Sequence, residues 1–165
     1  MPISDLKLKA VKYFAAGSEE TYCFQANLYE DNKKLANVEN SGRGGCNEVH
    51  AVDKAAQTRL DEIHNELKKV VAWVHEGEDI YGDLDTKISE LMTDHLDEKY
   101  FKKFMKKVAI LEDSKIYGLK LIDKKFQANT EAYTAQILKN YPDAVILNSL
   151  PTEEALKLFK EHRDS

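Results

Sequence analysis

Long apolar runs are missing from this sequence, none approaching the ~20 residues that a membrane-spanning helix needs. Cysteine is scarce too, with two in 165 residues, and Cys23 falls within a predicted strand. A secreted disulfide framework is therefore not expected, and two reduced thiols are. Met1 to Ala10 alternates Leu with Lys instead of carrying a signal-peptide core, which makes the cytoplasm the expected location and excludes a membrane partner. Also lacking are a Gly-x-Ser-x-Gly elbow, a His-Glu-x-x-His pair, a Cys–His nucleophile signature and any internal repeat or Pro/Gly/Ser linker. Those gaps point away from an enzyme, although scattered carboxylates gathered by the fold would leave no local signature.

What is present is enough for a folded interior: 42 % hydrophobic residues beside 32 % charged ones, with a formal charge of −5. The expectation is a single α+β domain over 1–165, with a candidate subdivision near 77–82. Tyr22, Phe24, Ala26 and Leu28 alternate with Cys23, Gln25, Asn27 and Tyr29 at the period of a half-buried strand. A turn at Asp31-Asn32-Lys33 then leads to Leu35, Ala36 and Val38, and Leu6, Leu8 and Ala10 supply a further strand of an N-terminal antiparallel sheet. From Ala51 to His75 the period becomes 3.6, with Val52, Ala56, Leu60, Ile63, Leu67, Val70, Val71 and Val74 on one stripe, which predicts a long amphipathic helix. Asp83 or Asp85 can cap a second helix through Leu96, and a short third one follows Asp97. The C-terminal third reads as ββαβα: strands Val108 to Leu111 and Ile116 to Ile122, a helix from Thr130 to Asn140 capped by Asn129, a strand Ala144 to Leu147, and a helix opened by Pro151.

Two segments carry the candidate chemistry. Asn40-Ser41-Gly42-Arg43-Gly44-Gly45-Cys46-Asn47 places three glycines in four positions, ahead of the predicted long helix. Converging backbone N–H groups and a helix N-terminus there would suit an anion, so Asn40, Gly42, Arg43, Gly44, Gly45 and Asn47 are candidate ligand-binding residues for a small phosphate-bearing molecule. The alternative is a connection whose glycines satisfy awkward dihedrals. Charge is also unevenly spread. Residues 51–98 hold 13 Asp/Glu against 5 Lys/Arg, whereas 99–125 hold 9 Lys against 3 Asp/Glu. Lys99, Lys102, Lys103, Lys106 and Lys107 follow helical spacing, with Tyr100, Phe101, Phe104, Met105 and Val108 on the other side. That lysine face suits an anionic partner, nucleic acid being the lesser reading because no arginine is placed for base readout. Cys46, Glu48 and His50 form a partial ligand set, but no second Cys/His pair lies at finger-like spacing, so no metal or other cofactor is expected.

The runs Phe24 to Lys33 and Asn40 to Gly45, with Lys115-Ile116-Tyr117, Tyr141 to Asn148 and Leu150 to Leu156, resemble uncharacterised small accessory proteins of bacteriophages and prophages. The resemblance implies a phage accessory protein. Together with the missing catalytic signatures and the paired charge patches, it leads to the expectation of a non-enzymatic binding protein that modulates or inhibits a host factor, its partner a host protein or, through the glycine-rich loop, a small phosphate-bearing ligand.

Overall fold

The computed structural model describes residues 3–119 and 131–162. It is an α+β protein whose chain divides into two compact units, Met1–His95 and Leu96–Ser165. Ile122 and the part of the basic stretch beyond Leu119, with Asn129 and Thr130 of the expected cap, lie outside the described residues.

The first unit opens with four antiparallel strands in sequential order: β1 (Leu6–Tyr13), β2 (Cys23–Glu30), β3 (Lys33–Ser41) and β4 (Glu48–Ala51). The expected alternation holds, since Phe24, Ala26 and Leu28 of β2 and Ala36, Val38 and Asn40 of β3 are buried while the intervening residues are not. A bulge between Lys9 and Lys12 puts Ala10 at φ 53° and bends β1. Helix α1 (Lys54–Leu67) packs against β3 and β4 and buries Ala56, Leu60 and Ile63. Its N-terminus is fixed by Asp53, whose side chain accepts the Ala56 N–H at 2.7 Å.

The helix expected over 51–75 is thus cut at both ends. Ala51 belongs to β4, and Val71–His75 is a strand, β5, that pairs with β6 (Glu78–Tyr81). The Val70, Val71 and Val74 positions that extended the apolar stripe are exposed. β-Branched residues with Trp73 between them favour a pleated strand, and Glu76 and Gly77, both at positive φ, make the hairpin turn. The stretch 77–82 singled out in the sequence is the turn and second strand of this hairpin.

The longest helix is instead α2 (Leu84–Phe104), which absorbs both shorter helices expected there and runs across the division between the units. Asp83 caps it by accepting the Thr86 N–H at 2.8 Å, and Asp97 is a buried residue inside it instead of the start of another helix. No helix among the described residues is long and apolar enough to cross a membrane.

The second unit is built around β7 (Val108–Glu112), flanked by β8 (Lys115–Leu119) and β9 (Val145–Ile146) in an antiparallel sheet of order β8-β7-β9. Strand β7 is covered on both faces. Val108 and Ile110 pack with Tyr133 and Ile137 of α3 (Glu131–Asn140), Ala144 and Ile146. Ala109 packs with Phe101, Leu147, and Ala155 and Phe159 of α4 (Thr152–His162). Burial on both sides explains why β7 reads as a continuous apolar run and not as an alternation. Asn148 closes the connection: its Oδ1 accepts the Ala109 N–H at 2.7 Å and its Nδ2 donates to the carbonyls of Lys107 at 3.0 Å and Met105 at 3.2 Å.

Candidate functional site

The glycine-rich loop joins β3 to β4, so no helix N-terminus follows it and the helix-dipole part of the anion reading falls away. Its conformation is dictated by a close backbone approach. Gly42 has φ 84°, and its carbonyl accepts N–H groups from Glu19 at 2.9 Å, Glu20 at 3.0 Å and Thr21 at 3.3 Å. A Cβ at this position would stand 2.1 Å from the Gly17 carbonyl oxygen, which only glycine avoids.

Asn40 organises the loop from a buried position. Its Oδ1 accepts the Thr21 hydroxyl and the Gly42 N–H, both at 2.8 Å, and its Nδ2 donates to the Gly45 carbonyl at 2.9 Å and to Asn47 Oδ1 at 3.2 Å. Asn47 carries the connection onward. Its backbone N–H and Nδ2 donate to Asp85 Oδ1 at 2.6 and 2.8 Å, and Nδ2 also meets the Ser89 hydroxyl at 3.0 Å. The loop is therefore stitched to the first turns of α2 by side chains that satisfy one another.

Beside this network lies a cleft of about 510 Å³, within the roughly 300–1,000 Å³ usual for small-molecule sites. Asn40, Gly45 and Asn47 line it from the loop, Asp85, Ser89 and Met92 from α2, and Tyr13, Tyr22 and Phe24 from the sheet and its edge. Glu19 and Glu20 complete the wall. Its charged lining residues are thus three carboxylates, with no lysine, arginine or histidine among the described residues that form it. Tyr13 and Tyr22 meet edge to face, with ring centroids 6.0 Å apart and planes at 83°. Of the six loop residues singled out in the sequence, three line the cleft. Gly42 is packed beneath the loop, Gly44 lies against Glu20, and Arg43 is exposed.

The lysines sit in the second unit. Lys99, Lys102 and Lys103 are on the last turns of α2, whereas Lys106 and Lys107 lie beyond the helix end at Phe104, so the five do not share one helical face. All five are exposed, with Lys102 3.3 Å from Glu98. Phe101 is buried as expected; Tyr100 is exposed, not on the packed side.

Sequence spacing missed two further arrangements. Nδ1 of His64, on α1, accepts the Leu84 N–H at 3.4 Å and so helps fix the start of α2. On the outward face of the sheet, Glu39 of β3 stands opposite Glu48 of β4, with His50 two residues along. The partial set Cys46–Glu48–His50 named a neighbouring combination; the partner that completes it comes from β3, which linear spacing does not reveal. Against family models, curated proteins and solved structures alike, the chain finds no match.

Proposed function

We propose that the chain is a non-enzymatic binding protein of the phage accessory type, and that its ligand is a small molecule bearing a positive charge, held in the cleft beside the glycine-rich loop. The observation that carries this reading is the lining itself: carboxylates of Glu19, Glu20 and Asp85 around the Tyr13–Tyr22 pair. Carboxylates and aromatic faces both attract cations, and a partly enclosed site strengthens the attraction relative to open water. A phosphate would meet the same carboxylates as repulsion, with Arg43 as the loop's own cation. The test is calorimetric titration of the full chain with spermidine and, separately, with AMP. Saturable spermidine binding that weakens in the Glu19→Gln/Glu20→Gln double variant supports the cationic ligand. AMP binding lost on Arg43→Ala, with no response to spermidine, overturns it in favour of the phosphate reading.

A second reading concerns the exposed lysines of the second unit, where Lys99, Lys102, Lys103, Lys106 and Lys107 offer contacts to an anionic macromolecule such as an acidic host protein. Association through them should weaken steeply between low and physiological salt, and a flat salt response removes it.

A further inference from the structure

We infer that the outward face of the N-terminal sheet carries a binding site for one divalent first-row transition-metal ion, with Glu39, Glu48 and His50 as its ligands. The inference is independent of the cleft reading. The carboxylate oxygens and the imidazole nitrogen all lie within 4.8 Å of one another. His50 Nε2 is 3.8 Å from Glu39 Oε1 and 3.7 Å from Glu48 Oε2. Donors around a tetrahedral ion with ~2.0 Å bonds stand about 3.3 Å apart, so small side-chain rotations of these exposed residues close the set.

The strand register supplies an independent argument. Glu39 and Glu48 are direct cross-strand partners, an arrangement that like charges destabilise. A dication between them turns that repulsion into attraction. Gln25, the partner of Glu39 on the other side, donates its Nε2 to Glu39 Oε2 at 3.1 Å, which leaves Oε1 on the side of His50. Metal-ligating carboxylates are held by outer hydrogen bonds of this kind.

Two of the three ligands, Glu39 and His50, also line a hollow of about 450 Å³ beside the β1 bulge, whose wall mixes Lys12, Gln25, Asn27 and Asn37 with Ala10, Ala26 and Val38. The imidazole donor favours zinc, cobalt or nickel over magnesium or calcium, which take oxygen ligands.

Calorimetric titration of the full chain with zinc chloride tests the site, with His50→Ala, Glu39→Gln and Cys46→Ser as variants and circular dichroism as the check that each is folded. The expected result is one ion per chain, bound about tenfold or more weakly by His50→Ala and by Glu39→Gln, and unchanged by Cys46→Ser. In parallel, cobalt chloride, a paramagnetic ion of the favoured kind, should shift or broaden the backbone amide signals of residues 39, 48 and 50 ahead of others. Absence of saturable binding up to millimolar zinc, undiminished affinity in His50→Ala, or loss in Cys46→Ser overturns the assignment.

Discussion

Arg59 on α1 reaches Glu30 at the end of β2 through two parallel hydrogen bonds, Nε to Oε2 at 2.9 Å and Nη2 to Oε1 at 2.6 Å. Both side chains are close to seven-eighths covered, at 12 % and 13 % exposure, so the pair is neither bulk-solvated nor fully interior. Hydrogen bonds from Arg59 hold the Glu30 carboxyl below its ordinary 4.5. A carboxyl lowered on folding contributes stability that is fully present above its ordinary value and lost as pH falls through the folded one. Arg59→Ala should therefore cost about 2 kcal/mol at neutral pH, the scale of charge-assisted hydrogen bonds. The difference from wild type should shrink below about pH 4.5, which urea unfolding at a series of pH values measures. Glycine chemistry is equally local. Gly42→Ala should cost about 2–3 kcal/mol because both its φ and its contact with Gly17 forbid a side chain, whereas Gly45→Ala should change stability by less than about 0.5 kcal/mol. Gly45 has nothing within 4 Å of an added Cβ. Sequence alone treats these glycines as equivalent, since their difference lies in what the neighbouring chain brings close.

Among the elements, those whose signal is local were legible. The β2–β3 hairpin, the Asp83 cap and the α4 start after Pro151 rest on alternation, a capping carboxylate and a fixed φ, each contained within a few residues. Asp83→Ala should cost about 1 kcal/mol and reduce helicity over the first turn of α2, read by chemical-shift changes at residues 84–87. The long stripe from Val52 to Val74 misled at its C-terminal end because Val70 to Val74 is a short apolar run, and periodicity over so few residues does not separate a helix from a strand. Pairing with Glu78–Tyr81 decided β5, and that partner is named by no local pattern. Asn148 belongs to the same category: a loop asparagine in sequence, it satisfies three backbone groups around the start of β7. Asn148→Ala leaves the Ala109 N–H and two carbonyls without it and should lower stability by about 2 kcal/mol, measured by chemical denaturation.

At the level of the whole molecule, each of the two compact units has buried side chains of its own: Phe24, Leu28 and Val38 in the first, Val108, Ile110 and Phe159 in the second. Ile110→Ala removes a fully buried side chain from the centre of β7 and should cost about 2–5 kcal/mol. Amide exchange should accelerate first in β7, β8 and α3, with β2 and β3 keeping their protection; equal acceleration in both units would overturn this expectation. Composition and periodicity by themselves determined the α+β class, the N-terminal antiparallel sheet and the order of the C-terminal elements, because each depends on residues near in sequence. Tertiary structure decided where the helix over 54–67 stops and which loop residues face a cleft. It also decided that the wall of that cleft is acidic and that Glu39 meets Glu48 and His50. Those outcomes depend on strand register and on packing between segments far apart in the chain, which no local pattern encodes.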